Sequence, residues 1–101
     1  MEHDIGSIIS TELDKSGRKT KVTVRLYEKG VDFVSRSQAR RILYGMDKFK
    51  TIILDFIKVK GIGQGFADEI FRVFKLEHPG VEILVKNASK TVMFMINRAK
   101  L

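Results

Sequence analysis

The chain has 101 residues, no cysteine and a formal net charge of +7, with 44% hydrophobic and 31% charged residues. A chain of this length buries roughly two-thirds of its unfolded surface without help from metal or disulfide, so residues 1–101 are expected to form a single globular domain. The missing cysteine excludes a disulfide framework, a thiolate metal site and a cysteine nucleophile, and it leans towards a reducing compartment. The start, "MEHDIGSIIS", lacks the basic region and apolar core of a signal peptide, and no apolar run approaches the about 20 residues that span a bilayer. The expectation is a cytoplasmic protein with no membrane partner. The charge is uneven: from Lys15 to Lys50 eleven Lys/Arg face only Glu28, Asp32 and Asp47, while residues 1–14 are acidic. Such a half attracts nucleic acid, an anionic membrane or an acidic protein, or serves as a solvated face.

Residues 7–13 and 19–27 are expected to form a hairpin joined by "DKSG", because "KVTVRLY" alternates apolar and polar side chains and "SIISTEL" is rich in β-branched residues. A helix over "IGSIISTEL" is the alternative. After Glu28-Lys29-Gly30, Ser35 and Gln38 have the spacing of a capping box and predict a helix from Arg36 to about Asp47. Its apolar stripe is Ala39, Ile42, Leu43 and Met46. The dense run from Thr51 to Ile57 predicts a central strand covered on both faces. A helix is expected from about Phe66 to Glu77, with Ala67, Ile70, Phe71 and Phe74 inward and Asp68 and Glu69 in its exposed first turn. "HPG" ends it, a strand follows over Val81 to Val85, and Asn87 or Ser89 caps a last helix, Thr91 to Ala99. The expected order is β-β-α-β-α-β-α, with parallel neighbours where helices join strands.

Chemistry-bearing constellations do not emerge. His3 and His78 lack metal-ligand spacing, Asp68 and Glu69 are adjacent and point apart, and Asp55 is expected to bond to a loop or helix end. No enzyme activity, metal or cofactor is therefore expected. "GIGQGFADEIF", residues 61–71, has three alternate glycines between a strand and a helix. It lacks the Gly-Lys-Ser/Thr ending of a P-loop, and its third glycine is too early for a dinucleotide fingerprint. Glycine is expected there to supply positive φ and close backbone approach.

"KGVDF" before the first helix and "ILDFIKVKGIGQGFADEI" after it, together with the element order, resemble a STAS domain, the fold of bacterial anti-sigma-factor antagonists and of the cytoplasmic tail of sulfate transporters. "FVSRSQARRIL", "LDF", "IGQGFADEIFRVF", "HP" and "NA" are similar to an uncharacterised prokaryotic STAS-like family, over about residues 20–100. Its members are often fused to, or encoded near, histidine-kinase-type ATPase domains. The resemblance implies an α/β fold, a small mixed sheet of about four strands with helices mainly on one face. It also implies a non-catalytic regulatory module in signal transduction that binds a protein, such as a histidine-kinase-type ATPase. In the antagonists the strand matching "LDF" leads to a loop reading Asp-Ser-Ser-Gly, whose second serine is phosphorylated. Anchored on Ile62, those positions fall on Gly63, Gln64, Gly65 and Phe66, so Gly65 replaces the phosphoacceptor. The implied partner-binding residues are Gly61, Gly63, Gln64, Gly65, Phe66, Asp68 and Glu69, flanked by Arg36, Arg40 and Arg41. The other reading is a basic nucleic-acid-binding module. Against it, Phe33, Phe49, Phe56, Phe66, Phe71 and Phe74 occupy core-like positions instead of a stacking platform.

Overall fold

The computed structural model describes residues 9–13, 19–29 and 33–100. Strands β1 (Ile9–Leu13), β2 (Lys19–Arg25), β3 (Thr51–Asp55) and β4 (Glu82–Lys86) lie in that spatial order. β2, β3 and β4 run parallel, and β1 pairs antiparallel with β2, with a register irregularity at Glu12/Leu13. The helices are α1 (Arg36–Leu43), then α2 (Gln64–Asp68), a π-helical segment (Glu69–Phe74) and α3 (Lys75–Glu77) in one continuous run, and finally α4 (Lys90–Ala99). None of them is long and apolar enough to cross a membrane. Residues 7 and 8 of the expected first strand and the turn "DKSG" lie outside the described residues.

The parallel register explains the core. Val22, Ile52 and Ile83 form one row across the three strands, and Val24, Leu54 and Val85 form the next. Their β2 and β3 members are fully buried, with Phe56, Phe66, Ile70, Val92 and Ile96 packed around them. Each fully buried side chain of this size contributes roughly 1.5–3 kcal/mol of transfer free energy. The intervening row, Thr23, Ile53 and Leu84, lies on the opposite face and is partly or largely exposed. This corrects the expectation for β3: its apolar run is central in the sheet but covered on one face only.

Several boundaries differ for local reasons. β2 stops at Arg25 because residues Leu26–Lys29 curl into a 3-10 turn that buries Leu26. α1 ends at Leu43, short of Asp47, because Gly45 takes φ +75° and begins a separate 3-10 turn, Met46–Lys48, which still buries Met46. β3 ends at Asp55. The buried Asp55 carboxylate accepts hydrogen bonds from the Ile57 backbone N–H and from Asn87 Nδ2, both at 3.0 Å, so it closes the loop ends above β3 and β4. Asn87 is thus not the cap of the last helix. Ser89 is, accepting from Val92 N at 3.1 Å.

Candidate partner-binding site

Two short segments far apart in sequence meet at the start of α1. The Gly63 N–H donates to Phe33 O at 2.8 Å, and the Phe66 N–H donates to Val34 O at 3.1 Å. The turn after β3 is therefore laced onto the residues that lead into α1. α1 begins there because both arms of its capping box are present: Gln38 N donates to Ser35 Oγ, and Gln38 Oε1 accepts from Ser35 N and from Val34 N.

The glycines act through space, not through φ. Among the described glycines only Gly45 has positive φ; the left-handed residue of this turn is Lys58, at φ +63°. Gly63 is required by close approach: a Cβ there would lie 2.6 Å from Val34 O and 2.9 Å from Val34 Cα. Gly65 is roomier, its nearest neighbour being Arg36 Cγ at 3.4 Å. Gly61 is exposed and faces Thr91 at ordinary contact distance.

The expected docking residues divide into three groups. Gly61, Gln64 and Arg41 are exposed, and Gly63 and Gly65 are half-buried. Phe66 turns inward, fully buried with its ring centroid 5.4 Å from that of Phe33, so its side chain offers nothing to a partner. Glu69, expected on an exposed first turn, is also buried, because three successive residues, Glu69, Ile70 and Phe71, face inward where the helix widens into its π segment. That arc exceeds what an α-helical apolar stripe supplies, and π turns are frequent where helices serve function.

Charged side chains tie α1 to α2. Arg36 NH1 donates to Asp68 Oδ2 at 2.6 Å and lies 3.6 Å from Glu69 Oε1, while Arg40 Nε lies 3.4 Å from Glu69 Oε2. Asp68 and Glu69 do not point apart: one arginine reaches both. Arg72 completes the cluster, donating from Nε to Asp68 Oδ1 at 2.6 Å and from NH2 to Oδ2 at 2.7 Å. These bonds, Arg72 first and Arg36 second, hold the Asp68 carboxyl well below the usual carboxylate range, and Asp68 in turn raises the pKa of Arg72.

Arg36, Asp68 and Arg72 of the cluster line a groove of about 490 Å³ together with Gln64 and Gly65 and, from α4, Met95, Arg98 and Ala99. Sequence reasoning missed Arg72 and Arg98. Asp68 and Arg72 stand four apart on a helix, which is a readable ion-pair signal; Arg98 carries no local signal, since only the fold brings α4 to the glycine turn. His78 stays at a helix end, its ring against Phe74 at a centroid distance of 4.6 Å. His3 lies outside the described residues. Among the described residues no three His, Asp or Glu side chains are grouped to hold a metal ion.

Neither a curated protein nor a solved structure matches the chain. One family profile does, described as a STAS-like domain of unknown function (DUF4325), over residues 38–93. That span runs from Gln38 within α1 through β3, the glycine turn, the α2–α3 helix and β4 to the start of α4. It includes the glycine turn, Asp68, Glu69 and Arg72, while Phe33, Val34, Arg36 and Arg98 lie outside it. The chain belongs to this family of STAS-like domains.

Proposed function

We propose that this protein is a non-catalytic regulatory module that binds another protein through the face built by the glycine turn, the start of α2 and the neighbouring start of α1. A histidine-kinase-type ATPase or a related signalling protein is the proposed partner. The observation that carries the reading is the laced turn. Two backbone hydrogen bonds and the close approach of Gly63 to Val34 fix residues 63–66 as a defined surface beside Arg36. Gly65 stands at the position that the antagonists phosphorylate and has no hydroxyl, so the reading is of shape recognition without a phosphorylation switch.

The contact set is Gly61, Gly63, Gln64, Gly65 and the exposed part of Arg36, with Arg40 and Arg41 at its flank. Phe66 and Glu69 support this surface from within. The test is binding of the Gly65→Gln variant to the ATPase-type protein that co-purifies with the parent. Reduced affinity with an unchanged circular dichroism spectrum is expected. Normal binding by Gly65→Gln together with loss of binding by Arg41→Ala would move the interaction to the outer face of α1.

A further inference from the structure

We propose that the groove between the start of α2 and α4 receives carboxylate side chains, so that the partner docks there through an acidic segment; this rests on the protein-binding reading above. Three guanidinium groups, those of Arg36, Arg72 and Arg98, line the groove with one carboxylate, Asp68. The buried Glu69 reaches Arg36 from behind at 3.6 Å, so three positive charges still face two negative ones. Asp68 is fully engaged, one oxygen with Arg72 and the other with both Arg72 and Arg36. Arg98 has no carboxylate partner among the described residues; its guanidinium lies 5.8 Å from the centre of the Phe94 ring. The side chains of Arg36 and Arg72 are 45% and 48% exposed. Each guanidinium carries five N–H donors, and Asp68 takes only one from Arg36 and two from Arg72.

The lining also selects the occupant. Its apolar members are Met95 and Ala99, with no aromatic ring to stack a base. Small-molecule pockets are predominantly apolar, which this groove is not. Guanidinium forks match carboxylates in bidentate geometry. The bare Gly65 leaves the groove open beside Arg36, where a longer side chain would lie across the Arg36 stem.

The experiment titrates a fluorescein-labelled hexaglutamate peptide into the full chain and into two variants of equal charge, Arg98→Gln in the groove and Lys48→Gln, an exposed site outside it and outside the docking face. Arg98→Gln is expected to weaken binding about fivefold and Lys48→Gln less than twofold, the range of an exposed charge contact against none. Equal weakening by the two variants would overturn the site and leave only diffuse attraction to a basic protein. Displacement of the peptide by inorganic phosphate or ADP at a tenth of the peptide's concentration would overturn the acidic segment in favour of a small anion. The peptide arm does not need the partner. If the peptide is indifferent to Arg98 while the partner still rejects Gly65→Gln, this inference falls and the docking face stands. If the peptide requires Arg98 but the partner tolerates both Arg98→Gln and Gly65→Gln, the docking face itself is overturned.

Discussion

Gly63 and Gly65 look equivalent in "GIGQG", yet the fold gives them unequal tolerance. A methyl group at Gly63 would have to displace backbone, Val34 O at 2.6 Å, whereas at Gly65 it meets the Arg36 stem at 3.4 Å. Gly63→Ala is therefore expected to destabilise by about 2 kcal/mol, in the range of overpacked sites. Gly65→Ala should stay within about 0.5 kcal/mol of the parent. Urea denaturation of both variants checks the pair. Asp68 makes a pH-dependent claim. Its carboxyl pKa is lowered in the folded protein by Arg72 and Arg36, so the unfolded chain, with an ordinary aspartate near 4, binds the proton more readily. The stabilisation is then fully present above about pH 4 and fades as pH falls towards the folded value. The melting temperature of the parent should exceed that of Asp68→Asn at pH 7, and the two should converge in acid.

At the scale of elements, α1 is defined by its first four residues. Ser35→Ala should cost about 1 kcal/mol through loss of the capping box, read as a lower denaturation midpoint, with partner binding unchanged. This box was legible because its chemistry is local: both hydrogen bonds span three residues. Ser89 and His78 were legible for the same reason. The end of α1 was not, since Gly45 interrupts a stripe that continues in register to Met46, and Met46 is buried either way. The π segment left no trace in the sequence, because the spacing of Ala67, Ile70, Phe71 and Phe74 suits an α-helix equally well. β3 misled by composition: Ile53 is apolar but faces the open side of the sheet. The candidate site was readable as a stretch of turn, not as a cluster. Arg36 and Asp68 stand 32 residues apart and meet only when α1 crosses α2.

For the whole molecule, the surplus of positive charge raises the question of nucleic acid. Six phenylalanines, Phe33, Phe49, Phe56, Phe66, Phe71 and Phe74, are buried. The exposed rings among the described residues, Tyr27, Tyr44 and Phe94, belong to three different elements: the turn after β2, the end of α1, and α4. A stacking platform needs several such rings beside basic groups. We therefore expect only sequence-blind attraction, losing orders of magnitude in affinity between about 50 and about 200 mM salt if six or more phosphates are contacted. Fluorescence anisotropy with two unrelated oligonucleotides at both salts checks this. Tight binding that survives the higher salt and prefers one sequence would favour the nucleic-acid reading over the protein-binding one.

The lacing of the glycine turn onto the lead-in to α1 also bears on how the molecule breathes. The amides of Gly63 and Phe66 are held by consecutive carbonyls, Phe33 O and Val34 O. Neither segment can swing away without releasing both rungs, so the two form one cooperative opening unit. Deuterium should enter the Gly63 and Phe66 amides at a common rate, followed by two-dimensional NMR, and a docked partner should slow both together. Unequal rates would mean that the turn frays one rung at a time. A ligand felt at the turn would then leave the first helix unaware of it.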